Sequence, residues 1–381
     1  FAVGFMIASL LMGMLMVAVM KRGGVESDIV TPEIIGKINS INGEVEKSFL
    51  FDTDVDYESG IVKGYMNSLS DPYTVYYTPE EYKELNESMS GTFSGIGVVI
   101  QADEQTGLLR IIKAYSNSPA AAAGVKADDL IAKVEGEDIA GMDMNLVVSR
   151  IRGEQGTKVN ITVYRPSENS YIDFEITRQQ IEVETISHKM LDNEIGYIEM
   201  DSFDEVTYGQ YMAAFNELKS MGMKALIVDI RSNGGGLLSS VCNILDDMLP
   251  EGLITYTEDK NGKRDNYSSD ANCVLDIPAV VLVNGNSASA SEIFTGAMQD
   301  YGKAVIVGTQ TFGKGIVQTI MGLSDGSAIK MTTSRYYTPK GVCIHGVGIT
   351  PDIVVEDDSA TEEDEQLDKA VEVLLEKIGG R

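Results

Sequence analysis

Residues 279–301 read AVVLVNGNSASASEIFTGAMQDY: an apolar run, a turn of small residues, then helical spacing. Ala279–Val283 has the near-continuous apolar character of a parallel strand buried on both faces. From Ala290 to Tyr301 apolar side chains recur at helical intervals. The same alternation repeats outward. Strand readings fall on Ile195–Met200, Ala225–Ile230 and Ala304–Val307, and helical readings on Tyr208–Met221 and Leu237–Met248. Strand and helix in alternation predict an α/β layered domain with a largely parallel sheet.

Upstream the texture differs. Residues 25–90 carry helical spacing, as in Ile34, Ile35, Ile38, Ile41 and Val45, with helix starts at Thr31-Pro32 and Thr78-Pro79. From Gly91 come short strands and glycines: a glycine-punctuated loop into Val98–Ile100, strands at 108–114 and 128–134, helices at 118–124 and 144–151, and a strand at 158–164. That order resembles a PDZ domain.

The formal charge of −28 argues against a nucleic-acid partner, since phosphate binding needs clustered Lys and Arg. Three scattered cysteines, Cys242, Cys273 and Cys343, give neither a disulfide framework nor a zinc pattern. No metal or cofactor is expected. With two histidines, His188 and His345, histidine chemistry has few candidates.

Three loops follow apolar strands, where open α/β sheets bind ligands. In Asp229-Ile230-Arg231-Ser232-Asn233-Gly234-Gly235-Gly236, glycines let backbone approach a substrate and aim N–H groups at an anion. In Asn284–Glu292 a serine could stand at a crowded strand-to-helix turn. Ser289-x-x-Glu292 is also a capping box, the plainer reading of that loop alone. The third, Gly308 to Lys314, has the spacing of a phosphate-binding loop. It lacks the following hydroxyl, because Gly315 comes next, and Ile316–Ile320 alternates like a strand rather than opening a helix. Together the loops make chemical sense. A serine hydroxyl needs a base, and a lysine serves once its pKa falls from about 10.4 towards 7, a change of roughly 4 kcal/mol. Burial among Phe312 and Ile316 could drive it, while loop amides stabilise an oxyanion.

With these residues in place, the chain resembles the carboxyl-terminal processing peptidases, the S41 serine proteases, over about residues 33–375. The resemblance rests on Gly91–Gly97, Asp229–Gly236, Ser287–Glu292, Thr311–Gly315, Thr333–Gly341 and Gly348–Asp352 in joint order. It implies a crotonase/ClpP-like α/β protease core at 183–357, an inserted PDZ domain at 91–180, an N-terminal helical region at 25–90, and an acidic segment with a C-terminal helix at 358–381. By resemblance Ser289 is the nucleophile, Lys314 the general base, Gln318 its orienting partner, and Gly235 and Ala290 the oxyanion donors. Ser287 and Ser291 are left to packing and the helix start, and His345 is structural. The amides of Gly95, Ile96 and Gly97 would catch the carboxylate of a substrate C-terminus added as a strand. Gly234 departs from the proline common in the family. Arg150 or Arg152 could couple PDZ occupancy to the site.

The uncharged stretch Phe1–Met20 is long enough to span a bilayer and is expected to be a retained anchor, a cleaved signal peptide being the alternative. Lys21-Arg22 alone would leave the following chain cytoplasmic; the resemblance implies a single-pass protein of the cell membrane with its catalytic part extracytoplasmic. Protein substrates with exposed C-termini are the expected partners, and a homo-oligomer is left open. The rival readings are a non-catalytic PDZ adaptor, which needs none of Ser289, Lys314 and Gln318, and an acyl-CoA enzyme, for which no basic patch exists.

Overall fold

A computed structural model describes residues 29–51, 56–103, 105–356 and 363–379. The chain divides into two compact units after Gly60. The first contains the helix Pro32–Ser48, opened by Thr31, whose side chain accepts from Ile34 N–H at 3.3 Å, with Pro32 in the first turn.

The second unit is built on a six-stranded sheet. Its order is Ile186–Leu191, Ile195–Met200, Ala225–Asp229, Ala279–Val283, Ala304–Gly308 and Ile353–Val354. The first pair is antiparallel and the others parallel. Alternation along each strand divides the side chains between two cores. Ile198, Met200, Leu226, Val228, Val281 and Val283 face a core closed by the helices Thr207–Ser220, Leu238–Met248 and Ala290–Asp300. Ile195, Tyr197, Ile227, Val280 and Leu282 face the C-terminal helix Glu365–Gly379. Both faces of the central strands Ala225–Asp229 and Ala279–Val283 are covered, which is why they read as near-continuous apolar runs.

A second sheet lies beside it. Ala328–Tyr337 pairs with Val75–Tyr77 and Gly252–Asp259 along one edge and with Ile316–Gly322 along the other. The PDZ-like module, with strands Val98–Ala102, Leu109–Ala114, Leu130–Val134, Lys158–Arg165 and Ser170–Thr177, has its own core of Ile111, Ile131, Val147, Ile161 and Val163. A two-stranded ladder, Thr92–Gly95 against Gln179–Glu182, brings the two ends of the module together. An insertion so closed leaves the surrounding chain geometry undisturbed.

One expectation is corrected here. Among the described residues no helix is long and apolar enough to cross a membrane. The 17-residue helix Pro32–Ser48 is about 26 Å long and carries Glu33, Lys37, Glu44, Glu46 and Lys47. The anchor expected at Phe1–Met20 lies outside the described residues. The single-pass, extracytoplasmic placement therefore has no support in the structure and is withdrawn.

Candidate active site

The turn after Ala279–Val283 carries three serines with different fates. Ser287 and Ser291 are fully buried, and their hydroxyls donate to Ile230 O and Asn233 O, each at 2.8 Å. Both are committed to holding the turn against the glycine loop. Ser289, between them, is half-buried and sits at φ 58°, ψ −113°, in a capping box with Glu292; among the described residues its hydroxyl donates no hydrogen bond. A β-carbon at positive φ costs about 1–3 kcal/mol and persists only where neighbours enforce it.

The enforcing group is Glu292. This fully buried carboxylate accepts from Ser289 N–H at 2.9 Å and Lys314 N–H at 2.8 Å on one oxygen. Its other oxygen takes Gly313 N–H and the Thr311 hydroxyl, each at 2.7 Å. The capping-box signal thus marked a residue whose larger task is to fasten the serine turn to the lysine loop. Nothing in the local sequence pointed to the second half of that role. Behind Ser289, the buried Tyr336 donates its hydroxyl to the Ser289 carbonyl at 3.0 Å.

The glycine loop packs directly on this turn. A β-carbon on Gly235, at φ 103°, would meet Ala288 O at 2.7 Å and Ala290 N at 2.9 Å, so only glycine fits. Its N–H donates to Asn233 Oδ1 at 2.8 Å, and Asn233 Nδ2 donates to Met200 O at 2.8 Å. Of the two amides expected to serve an oxyanion, Gly235 is therefore occupied in this state, while Ala290 lies in the first turn of its helix and lines the cleft. Gly234 and Gly236 line it as well. From the far side, Arg231 clamps the loop through Asp229 at 2.6 Å and Asp364 at 2.8 Å.

Ser289, Lys314 and Gln318 share one cleft of ≈ 290 Å³. Leu85, Met89, Leu237, Ile293, Ile316, Val317 and Ile320 give it apolar walls. Leu85 and Met89 belong to the helix Pro79–Ser90, remote in sequence, so no local pattern could have placed them there. Phe312, an expected desolvating neighbour of the lysine, is instead 57% exposed. Burial, and then the charge of Lys330, holds the Lys314 ammonium below the ordinary lysine pKa, against the opposing pull of Asp71 and Glu292. Its Nζ lies 4.6 Å from the centroid of the Tyr73 ring. Among the described residues no hydrogen bond joins it to the Ser289 hydroxyl. The Gln318 amide donates to Thr332 Oγ1 at 3.2 Å rather than reaching Lys314. His345 is exposed in a neighbouring cleft with Asp71, away from Ser289.

On the PDZ-like module, Gly95-Ile96-Gly97 links the two-stranded ladder to the edge strand Val98–Ala102. Ile96 is buried, and its carbonyl and that of Gly97 accept from Ala120 N–H at 2.9 Å and Tyr115 N–H at 3.0 Å. Arg150 pairs with Glu137 inside the module. Arg152 lies over Phe93 at 4.8 Å and 3.4 Å from Glu87, on the helix that supplies Leu85 and Met89. Among the described residues no group of three or more His, Cys, Asp or Glu is placed to hold a metal ion.

An α/β core that ends a parallel strand in a strained serine, interrupted by a PDZ module, is the layout of a serine-type peptidase. Comparison with known proteins agrees. The pattern described as Peptidase family S41 matches residues 194–355, and that of the PDZ domain matches residues 110–165. The carboxy-terminal-processing protease of Bartonella bacilliformis is 38% identical over 302 residues, 77% of this chain and 68% of that protein. Carboxy-terminal processing protease CtpA of Bacillus subtilis is 37% identical over 322 residues, 84% of this chain and 68% of that one. Among solved structures, a photosystem II D1 C-terminal processing protease is 29% identical with a TM-score of 0.50, covering 88% of this chain and 90% of that one. The chain belongs to peptidase family S41, with the carboxy-terminal processing proteases.

Proposed function

We propose that this chain is an endopeptidase that cleaves near the C-termini of protein substrates, with Ser289 as nucleophile and Lys314 as general base. The observation that carries the reading is the pairing of two unusual groups in one apolar cleft. One is a serine held at positive φ whose hydroxyl, among the described residues, donates no hydrogen bond. The other is a half-buried lysine with depressed proton affinity, its backbone fastened by the same carboxylate that fastens the serine. A structural serine needs no strained turn, and a solvated lysine needs no burial.

In the forward reaction Ser289 Oγ attacks the scissile carbonyl while its proton passes to Lys314 Nζ. The tetrahedral oxyanion forms against the Ala290 amide, joined by Gly235 once Asn233 releases it. The lysine ammonium then protonates the leaving amine. A water molecule deprotonated by Lys314 hydrolyses the acyl-enzyme. Gln318 comes to orient the amine when substrate draws Lys314 towards Ser289. The PDZ module, taken as residues 91–180 beside a core of 183–357, receives the substrate tail as a strand along Val98–Ala102, with its carboxylate at Gly95–Gly97.

The test is turnover of a casein-like protein together with labelling by a serine-reactive phosphonate. Ser289→Ala and Lys314→Ala should each abolish both while tail-peptide binding persists. Cleavage surviving in both variants would remove the assignment, and binding without any turnover by the unaltered protein would make it an adaptor.

A further inference from the structure

The Lys314 amine does not rest where catalysis needs it. A general base must be neutral and within hydrogen-bond reach of the hydroxyl it deprotonates. Here Nζ stands over the face of Tyr73, 4.6 Å from its centroid. Such a contact favours the ammonium over the neutral amine, because only the cation is attracted by the ring quadrupole. It therefore opposes catalysis twice, in position and in protonation.

Tyr73 is built into that place. Its N–H donates to Asp71 Oδ1 at 3.1 Å, and the Thr74 hydroxyl donates to Asp71 Oδ2 at 2.7 Å. Thr74 is buried, and its Oγ1 accepts from Thr332 N–H at 3.1 Å. The next residues, Val75–Tyr77, pair with Lys330–Ala328. The segment is thus stitched to the strand that also pairs with Ile316–Gly322, directly after Lys314. The device recurs one step on, where Lys330 lies 5.4 Å from the Tyr77 ring. The charged groups facing Lys314 are Asp71 on the tyrosine's own loop, Lys330 on the paired strand and Glu292 on the serine helix.

We infer that Tyr73 is a positioning residue that parks the Lys314 ammonium, so that a bound substrate must draw the amine off the ring before Ser289 is activated. The inference rests on the Ser289–Lys314 reading, and its test keeps the two apart. Phenylalanine, difluorophenylalanine and pentafluorophenylalanine are placed at position 73 of the full chain. The series progressively weakens and then reverses the ring quadrupole while keeping the ring shape, so folding is not at issue. Phosphonate labelling of Ser289 is followed from pH 6 to 10. The rate at pH 7 should rise along the series by about fivefold, the scale of one partly buried cation–π contact. The pH midpoint of labelling should fall in step, a change that a merely structural tyrosine would not produce. Rates flat across the series, or rising with a fixed midpoint, would overturn the parking role. Labelling that survives in Lys314→Ala would instead bring down the dyad reading beneath it.

Discussion

Replacing Glu292 with glutamine changes one atom at the point where serine turn and lysine loop meet. The carboxylate is fully buried and takes four donors, two on each oxygen. An amide has one acceptor oxygen, so its NH₂ must face two of those donors. Turned towards Ser289 and Lys314 it would orphan two backbone N–H groups. Turned towards Thr311 and Gly313 it orphans only one, because the Thr311 hydroxyl can reverse and accept. The second orientation should win. Its cost is one buried unpaired N–H, about 1–3 kcal/mol, plus the loss of charge assistance in the surviving bonds, about 1 kcal/mol each. Easier burial of a neutral amide offsets part of this, leaving about 3 kcal/mol. Calorimetry should show the core melting roughly 6–12 °C lower, at the usual 2–4 °C per kcal/mol for a unit of this size. Phosphonate labelling should fall about a hundredfold, since Gly313, the residue before Lys314, loses its fixed seat and misplacement of the lysine near 1 Å costs that much. A Glu292→Gln protein that labels like the unaltered one and melts within 2 °C of it would refute the role given to this carboxylate.

Lys314→Met tests the other member of the cleft through stability. Burial, and secondly Lys330, depress the folded-state pKa of Lys314 below 10.5. Below the folded value the lysine is charged in both states and its burial cost is fully present; that cost fades as pH rises towards the unfolded value. The methionine variant should therefore melt higher at pH 6–7, by a margin that shrinks towards pH 10, and a pH-independent margin would contradict the assignment. In the PDZ module, Arg165 forms a buried pair with Asp129, with two bonds of 2.7 Å, and donates to Gly124 O at 2.8 Å. Arg165→Met strands a buried carboxylate at a cost of about 3–5 kcal/mol. It should abolish tail-peptide binding while Ser289 still labels; retained binding would count against the pair's structural role.

What could be read from the sequence follows a physical divide. Strands such as Ile195–Met200 and Ala279–Val283 announce themselves because burial on both faces writes an apolar run into contiguous residues. The three loops were legible for a related reason. Asp229–Gly236, Asn284–Glu292 and Gly308–Lys314 leave the same ends of three neighbouring parallel strands, so the topology alone brings them together. Contacts made across the fold left no such trace. Tyr73 meets Lys314 from the far end of the chain, Leu85 and Met89 wall the cleft from a helix of their own, and Asp364 reaches back to Arg231. Each looks locally like an ordinary turn, helix or acidic run. The resting place of Gln318 shows the same divide in reverse. The resemblance pairs it with Lys314, while in this structure Thr332 on the neighbouring strand offers the amide a fixed acceptor and Tyr73 offers the ammonium a ring. The residues proposed for the chemistry are thus local and legible, while the state in which they rest is set by distant partners. On the proposed mechanism, a substrate that supplies its own contacts in the cleft has those distant partners, rather than Ser289 and Lys314 themselves, to displace.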